Sequence, residues 1–428
     1  MTTTTYISRW KLQELITSLP VDHGCSHTQA PRSSLVLAHR RPPSYPSSPV
    51  QGVPMHIRVE RDALAHAVTW AARTLPSRPS MPVLSGVMMV AEGDSLTLSS
   101  FDYEISARVQ CSVDVLTPGK TLVSGRLLAD ITKALPAEPV NIKVEGNRAV
   151  IECGRSSFTL PTLPVEDYPS LPDMPDTAGN VDSDVFAHAV AQVAIAAGRD
   201  DTLPVLTGIR MEIDGMNVTL AATDRYRLAV RTFPWTPQKT SMELNTLIPA
   251  KILADAAKNM SDSDTVAFAI APDGEKLIGF EAEGMRTTTR LLDGEFPKYR
   301  SLLPNESATR AIVDTQELLN AVKRVALVAE RNTPIRMTFD GSELSLRAGA
   351  GEDAQANETI SASIEGDAIE IAFNPGFLVD GLNAISAPQA LFSFTQSTKP
   401  AVITGLTADG GSLDEDYRYL LMPIRLTG

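Results

Sequence analysis

The stretch HIRVERDALAHAV at residues 56–68 decides the fold, because a short alternating segment passes directly into a helical one. The alternation predicts a strand, and the apolar spacing from Asp62 onward predicts a helix with a capped start. The helical part occurs three times, as DALAHAV at 62–68, DVFAHAV at 184–190 and QELLNAV at 316–322. The closing valines are 122 and 132 residues apart, so one plan repeats with a domain-length period.

Two further sets of matching segments occur in the same order. The second set is GRLLADI at 125–131, AKILADA at 250–256 and PGFLVDG at 375–381. The third set is RPSMPVLSGVMM at 78–89 and RDDTLPVLTGIRM at 199–211, with a fainter copy, ERNTPIRMTF, at 330–339. A chain of 428 residues is also too long for one hydrophobic core. We therefore predict three domains, at 55–174, 175–306 and 307–428.

Each predicted domain combines two helices with antiparallel sheet. Segments such as SLTLSSFDYEISARVQ (95–110) and NVTLAATDRYRLAVR (217–231) alternate in the manner of strands. The fold class is therefore α+β, with three repeated domains of two helices each. Six half-repeats in one chain predict a curved, quasi-symmetric object.

Residues 1–54 differ from the rest of the chain. TTTT stands at 2–5, and PRSSLVLAHRRPPSYPSSPVQGVP at 31–54 is rich in Ser, Pro and Arg. We predict that this segment is disordered. Two alternatives are a translation start placed too early, with Met55 as the natural first residue, and a basic tail that touches DNA.

The composition is that of a soluble globular protein, with 43% apolar and 21% charged residues. No apolar run approaches the length of a membrane span, and no apolar signal core follows the first basic residues or the pair Arg40-Arg41. We therefore expect the protein in the cytoplasm. Cys25, Cys111 and Cys153 form no CxxC pair, so reduced thiols are expected rather than a zinc site or disulfides.

The net charge of −13 argues against a protein that grips nucleic acid over its whole surface. The helices are the exception. Six helical windows carry ten Lys or Arg and nine Asp or Glu, at 61–75, 124–136, 184–201, 249–260, 316–332 and 375–386. If these helices faced a common channel, a phosphate backbone would be tolerated inside it and repelled outside. The alternative is that they are ordinary solvated helix faces. The residues expected to face DNA are Arg73, Arg78, Arg126, Lys133, Arg199, Lys251, Lys258, Lys323 and Arg324.

Motifs of catalysis are weak or absent in the sequence. It contains no GxxxxGK[ST], HExxH or GxSxG pattern. Gly349, Gly351 and Ala354 match a dinucleotide pattern, but the alternating ETISASIE follows where a helix is needed, so a hairpin loop is the better interpretation. Asp200-Asp201 and Glu352-Asp353 are adjacent carboxylates without a matching ligand set. We predict no catalytic residues, no metal and no cofactor.

Three apolar segments invite a functional interpretation. They are ATDRYRLAV at 222–230, GEFPKYRSLLP at 294–304 and the C-terminal YRYLLMPIRL at 417–426. A chain terminus is usually polar and frayed, so this last segment needs an explanation. Part of it can complete a sheet, but Pro423 interrupts strand pairing and leaves its neighbours free to line a groove. Met and Leu suit a groove that accepts varied peptides.

Taken together, these motifs resemble the bacterial β sliding clamp family, the processivity subunits of the replicative polymerase. The resemblance covers Met55 to the end in the right order, and it includes SGRLLADI, LPVEDYPSLP, TDRYRLAV, LLDGEFPKYRSLLP, FNPGFLVDGLNAI and YLLMPIRL. GRDDTLPVLTGIR and TTTRLLDGEFPKYR are particularly similar to actinobacterial members. The resemblance implies three clamp domains per chain, with antiparallel sheets outside and helices lining the hole of a homodimeric ring. It also implies a sequence-independent hold on duplex DNA and partners that include polymerase, clamp loader and repair proteins.

The resemblance assigns two further sets of residues. The dimer contact would use Phe158, Leu160, Leu327 and Val328. The peptide groove would use Leu206, Thr223, Arg225, Tyr226, Arg227, Leu228, Pro297, Leu302, Asn374, Phe377, Met422, Pro423, Ile424, Arg425 and Leu426. Many family members have Gly-His where this chain has Arg225-Tyr226, so one wall of the groove should differ.

Two other classes of function stay open from the sequence. One is a metal-dependent hydrolase built on Asp200 and Asp201, and the other is a repeat scaffold with no role on DNA. Retention on circular but not linearised DNA would separate a ring from a scaffold. Binding of a short apolar peptide without metal-dependent turnover would separate a clamp from a hydrolase.

Overall fold

The computed structural model describes residues 54–271, 276–304, 306–329, 333–349, 354–407 and 412–425. The prediction made for residues 1–54 therefore falls, apart from Pro54, outside the described residues.

The first domain contains the helices α1 (Arg61–Ala72) and α2 (Gly125–Ala134) and a 3₁₀ turn at Pro82–Ser85. Its strands are β1 (Met55–Val59), β2 (Gly86–Glu92), β3 (Ser95–Phe101), β4 (Ile105–Ser112), β5 (Asp114–Thr117), β6 (Gly119–Ser124), β7 (Val140–Glu145), β8 (Arg148–Cys153) and β9 (Ser156–Leu163).

The second domain contains α3 (Ser183–Ala194) and α4 (Ala250–Asn259), with 3₁₀ turns at Pro204–Thr207 and Tyr299–Leu302. Its strands are β10 (Thr177–Asp182), β11 (Gly208–Asp214), β12 (Asn217–Thr223), β13 (Arg227–Pro234), β14 (Thr236–Pro237), β15 (Glu243–Pro249), β16 (Thr265–Ile270), β17 (Leu277–Ala282) and β18 (Met285–Arg290).

The third domain contains α5 (Thr315–Val325), continued by a 3₁₀ turn at Ala326–Val328, and α6 (Pro375–Asn383). Its strands are β19 (Thr309–Asp314), β20 (Ile335–Asp340), β21 (Glu343–Ala348), β22 (Ala356–Ser361), β23 (Ser363–Glu365), β24 (Ile369–Phe373), β25 (Gln389–Phe394), β26 (Ala401–Leu406) and β27 (Tyr417–Leu421).

The strands form three antiparallel sheets, two of which run from one domain into the next. The largest has the order β14-β10-β16-β17-β18-β4-β3-β2-β6-β9-β8-β7-β1-β5, and it joins domains 1 and 2 through β4 and β18. The second has the order β15-β11-β12-β13-β27-β26-β25-β19-β23, and it joins domains 2 and 3 through β13 and β27. The third, β22-β21-β20-β24, belongs to domain 3 alone. The predicted α+β class with three repeated domains is confirmed.

The helices pack in pairs within each domain, α1 with α2, α3 with α4 and α5 with α6. They are nine to twelve residues long, shorter than the predicted windows. The side chains of Asp182, Asp314 and Asn374 cap the starts of α3, α5 and α6. The capped start predicted for α1 is wrong in this respect, because Glu60 makes no side-chain cap there.

The apolar faces of helices and sheets form the core. Phe186, Phe268 and Phe280 pack edge-on and stacked in the second domain. Cys111 and Cys153 are free thiols, and burial raises the pKa of Cys111 to about 11. In the part of the chain that the structure describes, no helix is long and apolar enough to cross a membrane.

Candidate functional site

The junction between domains 2 and 3 brings the predicted groove segments together. β13 pairs with β27, so that Leu228 lies opposite Leu420. The pairing ends at Leu421, before Pro423. The C-terminal segment then stays attached to both domains, because the Met422 amide donates to the Tyr226 carbonyl at 2.9 Å and the Ile424 amide donates to the Ala372 carbonyl at 2.8 Å. Leu426, also predicted for the groove, lies outside the described residues.

A buried apolar cluster forms the floor of this region, and we call it the groove floor. Its members are Ala221, Leu228, Val230, Leu247, Phe296, Tyr299, Val402 and Leu420, with Val205, Leu292 and Leu303 packed against them. Leu228 belongs to the predicted set, and none of the other members does. Leu420 can be identified from its pairing with Leu228. That pairing can be found only when it is known that β13 and β27 meet across the junction.

The rim above the groove floor is apolar and partly exposed. Tyr226, Leu302 and Met422 are 58%, 50% and 38% exposed. Other members of the predicted set are half-buried, namely Leu206, Pro297, Asn374, Phe377, Pro423 and Ile424. Large hydrophobic side chains around a filled floor make a shallow docking surface that can receive apolar side chains of a peptide.

The turn between β12 and β13 presents Tyr226 at the rim. Asp224 Oδ1 accepts hydrogen bonds from the amides of Tyr226 and Arg227, both at 3.0 Å. Arg225 adopts the left-handed conformation with φ of 80°, which is uncommon for a residue with a side chain. The Thr223 hydroxyl is buried and donates to the Arg227 carbonyl at 2.6 Å. Thr223 therefore shapes the turn from inside.

Arg227 was predicted to line the groove, but its side chain is only 5% exposed and lies beneath the rim. Its Nε donates to Asp224 at 3.0 Å, and its Nη1 donates to Asp380 on α6 at 2.6 Å. Its guanidinium carbon lies 4.3 Å from the centre of the Phe377 ring. Burial opposes the charge, but the bonds to Asp380 and the contacts with Tyr419 outweigh it and raise the pKa of Arg227. The prediction is corrected: Arg227 supports the groove from below.

The rings around Arg227 are closely packed. Tyr226 stacks on Phe377 with ring centres 6.3 Å apart and an interplanar angle of 27°. The Tyr419 hydroxyl donates to the Phe377 carbonyl at 2.8 Å. Gly381 leaves room for the Tyr419 ring, because a Cβ at that position would collide with it. The start of α6 and the end of β27 are therefore fixed against each other.

On the other side of the groove, Glu212 on β11 anchors the segment that carries Pro297. Glu212 accepts hydrogen bonds from Arg210 Nε at 2.5 Å and from the Tyr299 hydroxyl at 3.0 Å, and it pairs with Arg300. Burial alone would raise the pKa of Glu212, but the hydrogen bonds from Arg300, Arg210 and Tyr299 outweigh it and hold that pKa below its ordinary value. An ionised Glu212 thus holds the linker to domain 3 on the sheet.

All nine basic residues predicted to face DNA are exposed, but only some lie on helices. Arg73 and Arg199 fall in the predicted helical windows but lie beyond the helix ends, because α1 ends at Ala72 and α3 ends at Ala194. Arg78, which lies outside the predicted windows, is in the loop after α1. Two others have partners within the chain. Arg126 donates to the Pro76 carbonyl at 3.0 Å, and Arg324 Nε donates to Glu358 at 3.1 Å. The remaining four, on helices, are Lys133, Lys251, Lys258 and Lys323.

The residues predicted for the dimer contact differ in exposure. Leu327 is 83% exposed, the highest value among the exposed large hydrophobic residues, and Phe158 is 37% exposed. Val328 is half-buried. Leu160 lies two residues further along the same face of β9 as Phe158. It is only 1% exposed, because its side chain packs into the core of its own domain. The prediction that Leu160 presents its side chain to a partner is therefore wrong.

The carboxylate pairs provide no metal centre among the residues described. Asp200 Oδ1 accepts from the Thr202 amide at 3.0 Å and from its hydroxyl at 2.6 Å, which closes a tight turn. These bonds lower the pKa of Asp200. Glu352 and Asp353 lie outside the described ranges, and within those ranges no three His, Cys, Asp or Glu side chains are grouped to hold a metal ion.

Three repeats joined through shared sheets, with a buried apolar cluster and exposed apolar side chains at one junction, define a class of multidomain proteins built from one repeated α+β unit. Family models of the DNA polymerase III beta subunit match along the chain: the N-terminal domain at residues 55–172, the central domain at 180–298 and the C-terminal domain at 300–425. The chain therefore belongs to the DNA polymerase III beta subunit family, the beta sliding clamps.

Individual relatives agree with this assignment. The beta sliding clamp of Streptomyces coelicolor is 57% identical over 376 residues, which cover 87% of this chain and 100% of the relative. The beta sliding clamp homolog GriR of Streptomyces muensis is 46% identical over 371 residues, covering 87% and 99%. The crystal structure of the DNA polymerase sliding clamp from Bacillus subtilis superimposes with a TM-score of 0.81 at 28% identity, covering 87% of this chain and 100% of that one. The sliding clamp from Pseudomonas aeruginosa bound to griselimycin gives 0.80, with the same identity and coverage.

Proposed function

We propose that two copies of this chain close into a ring around duplex DNA and tether the replicative polymerase, clamp loader and repair proteins through a short apolar peptide. The protein works in the cytoplasm, without catalysis and without a cofactor. Its clamp domains span 55–174, 175–306 and 307–428, after an extension at 1–54. The observation that carries the proposal is a strand junction that occurs twice within the chain. Among the described residues, domain 1 and domain 3 each have one further edge strand of the kind that forms this junction, and these two edges are left unpaired.

The two internal junctions use equivalent strands. β4 and β13 are the third strands of equivalent meanders, and they pair with β18 and β27 of the following domains. The corresponding strand of domain 3 is β22, and the strand of domain 1 that corresponds to β18 and β27 is β9. Among the described residues, β22 pairs only with β21, and residues 156–161 of β9 pair only with β8. A third junction of the same kind would therefore form between two copies.

The internal junctions also supply the register of this third one. Met285 pairs with Val109 at the first junction, and the hairpins place Ser156 and Glu358 at the corresponding positions. Ser157 would then pair with Asn357, and Phe158 with Ala356. Leu327 follows α5, which packs on β22, so its exposed side chain lies beside this edge. Two such contacts per pair of chains satisfy both open edges and bury Phe158 and Leu327.

Cross-linking tests this register. We expect the double variant Ser157→Cys/Asn357→Cys to form a covalent dimer under mild oxidation, because paired strands bring Cα atoms within the roughly 4.4–6.8 Å that a disulfide needs. Ser157→Cys/Ser361→Cys is the matched control, with its second cysteine four residues out of register. Non-reducing electrophoresis measures the product. Equal cross-linking of both variants, or of neither, would contradict the proposed edge.

The mechanism is topological. A closed ring leaves DNA only when an interface opens, so it needs no tight phosphate contacts. Exposed lysines on the helices, Lys133, Lys251, Lys258 and Lys323, would supply weak contacts that carry no sequence information and permit sliding. The acidic remainder of the surface repels DNA elsewhere.

Retention on DNA tests the ring directly. We expect the protein, once loaded onto a nicked circular plasmid, to stay with the DNA through gel filtration and to be released when the plasmid is linearised. A scaffold that binds DNA along its surface would be retained equally on both forms. Equal retention would therefore overturn the encircling mechanism.

The groove provides the tether. A peptide ending in Gln-Leu-x-Leu-Phe, the motif that the family resemblance implies, should bind with its apolar side chains between the groove floor and the rim. A short flexible peptide loses conformational entropy on binding, so we expect a micromolar dissociation constant, about −8 kcal/mol. Removing residues 422–428 should abolish binding, as followed by fluorescence anisotropy, while sedimentation still shows a dimer. Absence of saturable binding at hundreds of micromolar peptide would contradict the groove assignment.

A further inference from the structure

A buried guanidinium connects domains 2 and 3 beneath the rim. Arg227 bonds to Asp224 in its own domain and to Asp380 on α6 of the next. The same guanidinium contacts the Phe377 ring, on which the exposed Tyr226 stacks. One cation is therefore linked to both rings of the rim, which come from different domains.

The junction between domains 1 and 2 has the same backbone and serves as an internal comparison. A residue with positive φ follows the turn aspartate at both junctions, Tyr103 at 76° and Arg225 at 80°. At both, the strand arriving from the next domain donates an amide hydrogen bond of 2.9 Å to the turn. The strand pairing at the two junctions is equivalent, so their side chains can be compared position by position.

The side chains at the first junction differ where the second has its ion pair. The equivalents of Arg227, Phe377 and Asp380 are, in that order, Ile105, Ile252 and Asp255. All three line a cavity of about 30 Å³ between the domains. The first junction thus has a small void where the second has a guanidinium between a carboxylate and a ring, and it lacks the stacked aromatic pair.

We propose that the Arg227–Asp380 ion pair positions Tyr226 and Phe377 as an aromatic wall that selects an aromatic side chain on the bound peptide. Arg227 is a positioning residue and need not touch the peptide. The proposal rests on the proposed function, because it concerns the same groove. It also identifies what distinguishes this junction from the first one in the chain.

The physical basis is that the Arg227 guanidinium stabilises three groups at once, the carboxylates of Asp224 and Asp380 and the Phe377 ring. Without it, Asp380 and Asp224 repel each other, and Phe377 loses a contact on its π face. α6 would then shift relative to the β12–β13 turn, so the stacked rings would separate. An aromatic side chain needs a defined ring surface for favourable stacking, whereas an aliphatic one needs only an apolar cavity.

The experiment compares two peptides on four proteins. The peptides end in Gln-Leu-x-Leu-Phe and Gln-Leu-x-Leu-Leu, and the full-length proteins are wild type, Arg227→Met, Arg227→Lys and Asp380→Asn. We expect Arg227→Met to weaken binding of the peptide that ends in Phe about tenfold, which is about 1.4 kcal/mol. Binding of the peptide that ends in Leu should weaken less than about twofold. Arg227→Lys retains the positive charge but lacks the planar guanidinium that bonds to two carboxylates at once. It should therefore keep part of the preference for the aromatic peptide that Arg227→Met loses. Asp380→Asn should follow Arg227→Met.

Asp255→Asn, the same change at the first junction, is the matched control and should bind both peptides as wild type does. Equal weakening of both peptides by Arg227→Met, or no weakening, would overturn the proposal. If Arg227→Met does not fold, Arg227→Lys and Asp380→Asn still decide the matter through their aromatic preference. Failure of the wild type to bind either peptide would instead contradict the groove itself.

Discussion

At the scale of single residues, exposure separates side chains that the sequence places in one set. Phe158 and Leu160 share one face of β9, yet the first is 37% exposed and the second is 1% exposed. Arg227 is surrounded by polar letters in TDRYR and reads as a surface residue, but the approach of α6 buries it. The sequence predicts which residues collect at a junction, and tertiary packing decides which of them face outward.

Leu327 provides the sharpest test at this scale. We expect Leu327→Glu to give a folded monomer, because the side chain is exposed within the chain and its charge would be buried without a partner only in the dimer. Leu116→Glu is the control, since Leu116 is also exposed, at 58%, but lies on β5 at the far end of the sheet. Sedimentation velocity measures the outcome, and a dimeric Leu327→Glu protein would contradict the interface.

Glu212 predicts a pH effect. Its folded pKa is lowered, so its stabilising contribution is present above the unfolded value of about 4.3 and is lost as the pH falls through the folded value. The melting temperature of the wild type should therefore exceed that of Glu212→Gln at neutral pH. The difference between the two melting temperatures should shrink below about pH 4.3. Thermal unfolding across this range measures it. A difference that stays constant with falling pH would show that Glu212 is not held ionised by Arg210 and Arg300.

At the scale of elements, the repeats made the helices and meanders predictable, because each was seen in more than one copy. The ends of the helices were not predictable to the same degree. α3 ends at Ala194, although apolar spacing continues through AIAAG, and this leaves Arg199 in a loop. The members of the groove floor could also not all be predicted from the sequence. Leu420 meets Leu228 only because two strands almost two hundred residues apart pair with each other.

The helix lysines carry the prediction that belongs to this scale. We expect Lys133→Ala/Lys251→Ala/Lys258→Ala/Lys323→Ala to lower the slope of log affinity for DNA against log salt by about 0.9 for each lost phosphate contact. Dimerisation should be unchanged, because the four side chains are exposed and none of them belongs to β9 or β22, whose backbones would form the contact. Four Lys→Ala changes at other exposed positions, Lys120, Lys143, Lys239 and Lys298, are the control. An equal reduction of the slope in the control would mean that the helices do not face DNA.

At the scale of the whole molecule, the described residues leave one open edge of each kind on every chain, on β9 and on β22. In the language of polymer chemistry it is a bifunctional monomer. Such a monomer can cyclise or grow, and the angle at each joint decides which. Closure at two units gains the second contact without a further loss of translational entropy, so the cyclic product dominates while the joints keep their angle. A substitution that changes that angle, such as Gly381→Ala beside Tyr419, would shift the product towards open chains whose length grows with concentration. In the proposed ring, the fit of one glycine beneath one aromatic side chain would thus help to set the degree of polymerisation of the whole assembly.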